Sequence, residues 1–341
     1  ANGRNQGPDP DGNRMRSHLE ILARALTGSP PPPASLVRVT NLANLYLVTP
    51  QLYVAQSGFP ARTEEEQSIR EYWESVYQAN LIRNARLQHQ LCELLDIMNS
   101  AGVIPILLTG AAALASSAGK TSRIVADLDI MLLPTELEVG LRSLLDAGYL
   151  HWERHSRRHT ASKLYRPDHP GLVHIHHRPP DAGTSMSAPS MAHHCRTIEF
   201  RSNCARIPSP TDRLCYLIGH DMLEDRGLLY GKLHLRHALD ALDILKTDTV
   251  DWNLLRERFA TGLRKFAYAT YMYNLTKLFG VDDRPEPPIS RLSAAMYRRL
   301  IRKAEGNLYG ALDDVVVVLP TRIAFRVARA LQSVLHTART N

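Results

Sequence analysis

The apolar segment from Ile124 to Leu133 limits what this chain can fold into, because its only charged residues are two aspartates at alternate positions. Side chains of a β-strand alternate between its faces, so Asp127 and Asp129 project from one face with Cα atoms roughly 6.5 Å apart. Two buried carboxylates on one face repel each other unless a cation lies between them. The segment therefore predicts a strand that carries a divalent-metal site. The alternative interpretation is two solvated acids at a strand end.

Other short segments around this strand predict an α/β core. Residues 103–108 form an apolar run typical of a buried strand, and residues 171–176 form another. Helices are expected over 111–117 and 135–147. The order strand, helix, strand, helix, strand indicates an α/β arrangement.

The remainder of the chain is predicted to be mainly helical, which makes the fold class α+β. Glutamates after Thr63 and apolar residues at helical spacing predict one long amphipathic helix over 63–100. Beyond residue 206 the apolar periodicity is again helical. Four segments are predicted: a flexible Pro-rich arm at 1–37, a helical cover at 38–100, a catalytic core at 101–205 and a helical domain at 206–341. Within the arm, residues 18–26 could form a short helix.

Composition excludes several classes of protein. The chain of 341 residues is 44% hydrophobic and 22% charged, which excludes wholesale disorder, collagen and coiled-coil compositions. No apolar run approaches the roughly 18 residues that a membrane span requires. Residues 1–16 contain no apolar segment typical of a secretory signal, and the four cysteines do not form a disulfide framework. These features predict a cytoplasmic protein.

The positive charge is concentrated near the C-terminal end. The net charge is +7, and residues 289–341 contain nine Arg or Lys against three acids, a surplus of six. Such a segment suits a phosphate-rich partner, and RNA is one candidate. The alternative is a solvated basic helix face without a partner.

A phosphate-binding turn is predicted just before the aspartate strand. Residues 107–112 read Leu-Leu-Thr-Gly-Ala-Ala, which places Gly110 at a strand-to-helix turn where backbone N–H groups can approach a phosphate. Together with Asp127-Leu128-Asp129 on the next strand, this turn resembles the core of the polymerase-β-like nucleotidyltransferase superfamily. Arg123, the Leu-Leu-Asp-Ala-Gly-Tyr sequence at 144–149 and Val-His-Ile-His at 173–176 resemble the bacterial family of uncharacterised nucleotidyltransferases.

The helical part extends the same resemblance, which covers roughly residues 42–280. Four short sequences follow that family's order and spacing. They are Ile-Pro-Ser-Pro at 207–210, Leu-Ile-Gly-His at 217–220, Leu-Arg-His-Ala-Leu-Asp at 235–240 and Val-Asp-Trp at 250–252. Within them, His220 and Asp240 are expected to meet near the cleft, or else to form a buried polar pair.

The resemblance implies transfer of a nucleoside monophosphate from a nucleoside triphosphate, with ATP expected, to an acceptor. Asp127 and Asp129 would hold one or two Mg²⁺ ions that bridge the triphosphate oxygens. The acceptor remains open: a protein, a peptide, a small molecule or RNA.

The resemblance also assigns residues to the triphosphate. Gly110 and Ala111 would hold the β- and γ-phosphates. Arg123 and Lys163 would pair with phosphate oxygens, and the alternative for each is a surface ion pair.

Two departures from the superfamily pattern bear on activity. A third carboxylate often completes the metal site, but the aligned strand here carries His174 and His176. Either imidazole is suited to accept a proton from the acceptor near neutral pH. Alternatively, His176 matches the family's own histidine and His174 marks weakened metal binding. Thr109 stands where the family commonly has lysine, and losing that cation would reduce triphosphate affinity. These departures support a second hypothesis, a nucleotide-binding module whose chemistry has decayed.

Overall fold

The computed structural model describes residues 16–116, 121–153, 160–179, 186–281 and 291–306. Its strands are β1 (Ile106–Leu107), β2 (Leu128–Met131), β3 (Leu150–Glu153), β4 (Thr160–Tyr165), β5 (Val173–His176), β6 (Arg196–Phe200) and β7 (Asn203–Ile207). They form one mixed sheet in the order β3-β4-β5-β2-β1-β7-β6. The sheet and the helices around it confirm the α+β class.

Helices lie before, between and after the strands. Those preceding and within the sheet region are α1 (His18–Leu26), α2 (Leu36–Leu45), α3 (Thr49–Gln56), α4 (Glu64–Ser100), α5 (Thr109–Ser116), α6 (Leu137–Asp146) and α7 (Ala188–His193). Those following it are α8 (Pro210–Ile218), a π-helix (Gly219–Glu224), α9 (Gly227–Tyr230), α10 (Leu235–Thr247), α11 (Trp252–Arg258), α12 (Gly262–Phe279) and α13 (Arg291–Ala304).

The centre of the sheet is formed by the strands that the sequence predicted. Strand β2 is parallel to β5 and antiparallel to β1. Strands β1, β2 and β5 are each shorter than the apolar sequence segment that predicted them. Pro105 has no N–H to donate to a ladder and precedes β1, although its carbonyl accepts the N–H of Arg206 at 2.9 Å.

Sequence patterns missed the outer strands β3, β4, β6 and β7. In β4 the buried positions are Thr160, Ser162 and Leu164, so burial alternates along the strand although hydrophobicity does not. Strand β6 is an edge strand with mostly exposed or half-buried side chains. Polar edge strands lack the apolar alternation from which strands are recognised.

The buried apolar residues form two cores, and α4 contributes to both. Its C-terminal half packs Leu87, Leu91, Leu94, Leu95 and Met98 against the sheet and α5. Its N-terminal half contributes Trp73 to a core formed mainly by α1 to α3 and the helices after the sheet. The 37-residue helix begins at the Thr63 cap, as the sequence predicted.

The first helices differ from the predicted flexible arm at 1–37. Helix α1 begins with a capping box in which Ser17 and Glu20 satisfy each other's backbone N–H groups. Leu19 and Leu22 on its apolar face are fully buried. The described part of that segment is therefore folded into the helical core, while residues 1–15 lie outside the described residues. The short helix that the sequence allowed at 18–26 is present, whereas the flexible arm was inferred from the proline run that follows it.

The basic C-terminal segment is described only in part. In α13, Arg298 and Arg302 are exposed, whereas Arg299 is buried and donates to the carbonyl of Leu229 at 2.6 Å. Residues 307–341 lie outside the described part of the chain. Among the described helices, a search for one with the length and hydropathy of a membrane span finds none.

Candidate active site

Asp127 and Asp129 meet the histidines of the neighbouring strand on one face of the sheet. Asp129 on β2 is in register with His174 on β5, and Asp127 directly precedes β2. His174 Nδ1 lies 3.3 Å from Asp127 Oδ2 and 3.2 Å from Asp129 Oδ1. His176 Nε2 lies 3.0 Å from the same oxygen of Asp129. These four residues are called the sheet site below.

Thr109 is also part of this arrangement. Its hydroxyl donates to Asp129 Oδ2 at 3.2 Å, from a backbone conformation with φ of 33° at the start of α5. A positive φ at a residue other than glycine is strained, and such residues are often found at functional sites. In place of the lysine expected there, the chain has a hydroxyl that orients a carboxylate.

The two aspartates differ in proton affinity. Burial and the adjacent charge of Asp129 raise the pKa of Asp127 above its ordinary value. Burial acts in the same direction on Asp129, but hydrogen bonds from His174 and His176 hold the pKa of Asp129 well below its ordinary value. Asp129 is therefore the more readily ionised member, whereas the charges of His174 and Arg236 offset only part of the rise in the pKa of Asp127.

The donor set of the sheet site fits a divalent cation. The carboxylates of Asp127 and Asp129 both approach one position, which His174 Nδ1 occupies. His174 Nε2 is buried and has no hydrogen-bond partner among the described residues, so no hydrogen bond at this nitrogen holds the ring in its orientation. Oxygen ligands suit Mg²⁺, and the imidazoles also make Mn²⁺ acceptable.

Lys163 lies on the same face as this site. It is opposite His174 in the antiparallel pairing of β4 with β5, so Asp129, His174 and Lys163 form a row across three strands. The register thus brings the predicted phosphate ligand to the site, and a phosphate contact of Lys163 remains a prediction.

The glycine of the predicted phosphate turn has a packing role. A Cβ atom at Gly110 would lie 2.8 Å from Val125 Cγ1 and 3.0 Å from Arg123 Nη1. Gly110 and Ala111 are both buried at the start of α5. Close packing alone is enough to require glycine here, and the roles of Gly110 and Ala111 in phosphate binding remain predictions.

Arg123 joins the sheet region to the helical region. It is 6% exposed, and its Nε lies 2.9 Å from both carboxylate oxygens of Asp240 on α10. Its predicted phosphate contact is not tested by this arrangement, but the guanidinium already has a carboxylate partner. Asp240 therefore contacts Arg123 rather than meeting His220.

Two further arginines hold the backbone that leads into Asp127. Arg236 Nη1 donates to the carbonyl of Ile124 at 3.0 Å. Arg83 on α4 donates to the carbonyls of Val125 and Ala126, the latter at 2.9 Å. Sequence reasoning missed this role, because contacts with backbone carbonyls leave no spacing pattern.

A second group of titratable residues lies in the helical region. It is called the histidine cluster below, and its members are His220, Asp221, Asp225, His234 and His237. His237 Nδ1 lies 2.5 Å from Asp221 Oδ1. His220 Nδ1 lies 3.3 Å from Asp225 Oδ2, and His234 Nε2 lies 3.1 Å from the same oxygen. Sequence analysis considered only His220 as a site candidate and His237 only as part of a family motif, although three histidines within 18 residues of a helical region were a visible signal.

The backbone between α8 and α10 creates this cluster. The π-helix contains His220 and Asp221, and π turns inside helices are common at functional sites. A Cβ atom at Gly227 would lie 2.5 Å from the carbonyl oxygen of Asp221 and 2.7 Å from that of Lys232. The chain therefore returns closely on itself and brings α10 alongside the π-helix.

Electrostatic interactions in the histidine cluster favour charged side chains. Burial disfavours the imidazolium of His220, but the contact with Asp221 and the charge of Asp225 outweigh burial and raise the pKa of His220 to about 9. Burial also opposes ionisation of Asp221, yet the neighbouring imidazoles, His237 foremost, hold the pKa of Asp221 well below its ordinary value.

Tyr216 separates the two groups of residues. Its ring stacks on His220 with a centroid distance of 5.9 Å and an interplanar angle of 19°. Burial, and then the charges of Asp129 and Asp127, raise the pKa of Tyr216 well above its ordinary value. A cavity of about 50 Å³ lies beside Tyr216, Thr109 and Asp240. It has room for a few water molecules but not for a nucleotide.

Comparison with known proteins supports the family resemblance derived from the sequence. Comparison with curated proteins returns no match. The matching family model spans the sheet site, the π-helix and α10. This model, described as an uncharacterised nucleotidyltransferase, matches residues 34–280, and the chain therefore belongs to that family.

Proposed function

We propose that the protein transfers a nucleoside monophosphate from a nucleoside triphosphate, ATP first among the candidates, to an acceptor hydroxyl, with a divalent cation at Asp127 and Asp129. The observation that carries the proposal is the convergence of both carboxylates on one point of a buried sheet face, beside two imidazoles. Mg²⁺ bound there would neutralise charge that develops on the phosphate oxygens.

The residues of this chain have separable tasks in that reaction. The acceptor oxygen forms a new bond to the α-phosphorus, the bond from that phosphorus to the bridging oxygen breaks, and pyrophosphate leaves. His174 faces both carboxylates and accepts the acceptor's proton when its ring is neutral and Nδ1 no longer donates to Asp129. His176 and Thr109 orient Asp129, and Lys163 lies in the same row for the triphosphate.

Labelled nucleotide tests the proposal directly. The purified protein is incubated with each α-³²P-labelled NTP and Mg²⁺ or Mn²⁺, with and without a lysate that supplies acceptors. Label should enter a product with the wild type but not with Asp127→Asn or Asp129→Asn. Asp146→Asn is the matched control, because this exposed aspartate on α6 lies outside the sheet site. Label incorporation that survives Asp129→Asn would refute the proposal.

A specific contact favours a second candidate, a nucleotide-binding module without turnover. His174 Nδ1 occupies the position between the carboxylates that a cation would take. If the ring remained there, binding of nucleotide would occur without transfer. Calorimetric NTP binding with no labelled product would support this candidate, and any aspartate-dependent product would eliminate it. The nature of that product also identifies the acceptor class, and RNase or protease treatment distinguishes RNA from protein.

A further inference from the structure

The histidine cluster contains more ligand atoms than a buried ion pair requires. Atoms of His220, Asp221 and His237 lie within 4.8 Å of one another. Asp225 lies outside this group of three, although its Oδ2 is 3.3 Å from His220 Nδ1. Two ring nitrogens and a carboxylate oxygen form a donor set that selects Zn²⁺ or a similar transition ion over Mg²⁺.

Asp221 supplies an independent observation. Its side chain is fully buried, and its Oδ2 has no hydrogen-bond partner within the described parts of the chain. His220 Nδ1 is likewise buried and makes no hydrogen bond there, although it lies 3.5 Å from Asp221 Oδ1 and 3.3 Å from Asp225 Oδ2. Buried polar atoms without partners are costly unless a ligand satisfies them.

The distances between donors suit a tetrahedral ion. Ligand atoms about 2.0 Å from a tetrahedral Zn²⁺ lie roughly 3.3 Å from each other. The separations of His220 Nδ1 from Asp221 and Asp225 are 3.5 and 3.3 Å. The contact of His237 Nδ1 with Asp221 Oδ1 is shorter, at 2.5 Å, so these two atoms would move apart when a metal ion binds.

We propose that the histidine cluster binds one Zn²⁺ ion, separate from the cation at the sheet site. Three protein ligands hold the ion, and Asp225 Oδ2, 3.3 Å from His220 Nδ1, is a further donor nearby. The ion would fasten the π-helix to α10 behind Tyr216. This proposal does not depend on nucleotidyl transfer, because a metal ion would bind whether or not the sheet site turns over.

The test must distinguish this ion from one at the sheet site, which also contains imidazoles. The starting protein is therefore full-length His174→Gln/His176→Gln, stripped with a chelator and kept in excess Mg²⁺ so that the remaining carboxylates of the sheet site are occupied. Zn²⁺ is then added, and bound zinc is measured by mass spectrometry after desalting. One zinc per chain is expected.

Removing the ligands of the histidine cluster should abolish that uptake. His220→Gln/His237→Gln in the same background should weaken zinc binding by at least about 100-fold. His89→Gln is the matched control, since this exposed histidine on α4 lies outside both groups. Failure of the background protein to take up zinc, or unchanged uptake after the cluster substitutions, would overturn the proposal.

A second measurement covers the case in which the cluster variant does not fold. X-ray absorption at the zinc edge of the loaded background protein should show two imidazole ligands together with oxygen. A shell of oxygen ligands alone would place the zinc elsewhere and overturn the proposal.

Discussion

The sheet site and the histidine cluster contain similar residues but are assembled in different ways. In the sheet site, paired strands fix the residues, because Asp129 and His174 are opposite each other in one ladder. In the histidine cluster, a π-helix and a tight return of the chain bring together residues from separate helices. Backbone hydrogen bonds hold the residues of the sheet site in register even when a side chain is replaced. The histidine cluster depends instead on the π-helix and on the close backbone approach at Gly227. Substitutions in the sheet site should therefore change activity without unfolding the protein. Substitutions in the histidine cluster should change both ligand binding and stability.

The largest expected effect is loss of transfer in the sheet site without loss of fold. Asp129→Asn removes the charge that binds cation, while the ladder between β2 and β5 remains. Nucleotidyl transfer should fall by at least about 1,000-fold, as measured by single-turnover labelling. A thermal midpoint close to that of the wild type is part of the prediction. Unfolding of this variant would contradict the proposed contrast between the two regions.

Substitution at Gly227 should show the opposite behaviour. A methyl group at Gly227 would meet the backbone carbonyls of Asp221 and Lys232, neither of which can move aside alone. Gly227→Ala should lower the free energy of unfolding by about 3 kcal/mol in urea titrations. At Gly58 an added Cβ has no neighbour within 4 Å, so Gly58→Ala serves as the control and should change little. Equal stability of the two variants would show that the return of the chain is not tight.

The ion pair between Arg123 and Asp240 tests whether the two regions are energetically coupled. It links the segment that leads into Asp127 with the helix that carries His237, and both side chains are largely buried. A double-mutant cycle with Arg123→Gln and Asp240→Asn should give a coupling energy of about 2 kcal/mol from unfolding curves. Additive effects would instead leave Arg123 available for phosphate, as the sequence predicted.

Acid sensitivity should also have a source outside both regions. The ion pair with Arg62, supported by Arg70, lowers the pKa of Glu66 from 4.5 to about 2 although burial opposes ionisation. Because the folded-state pKa is lowered, the resulting stability is present above the ordinary pKa and is lost as pH falls from about 5 through 2.

Comparison of variants isolates this contribution. The difference in unfolding free energy between wild type and Glu66→Gln should be about 2 kcal/mol near neutral pH and should vanish in acid. Glu65→Gln, at an exposed neighbouring position, should show no such pH dependence. A constant difference for Glu66→Gln at all pH values would contradict the assigned pKa.

Sequence reasoning succeeded where one segment carried the whole pattern. The alternation of Asp127 with Asp129, and of His174 with His176, was readable because strand periodicity places such pairs on one face. The pairing of β2 with β5 was implied only by resemblance, since register depends on distant residues. His234 and His237 were missed because the π-helix that brings His220 to them has no distinct sequence pattern. Thr109 was interpreted as a loss, although in three dimensions it contacts Asp129.

Helix α4 limits how far the chain can be shortened while the sheet remains folded. With 37 residues it extends about 55 Å. A truncation that begins at residue 101 would remove Leu87, Leu91 and Leu94 from beneath the sheet, and Arg83 from the backbone before Asp127. A truncation that ends at residue 100 would leave the same leucines exposed to water. A fragment that retains the sheet must therefore include α4 from Arg83 onward, so the sheet is not separable from this helix.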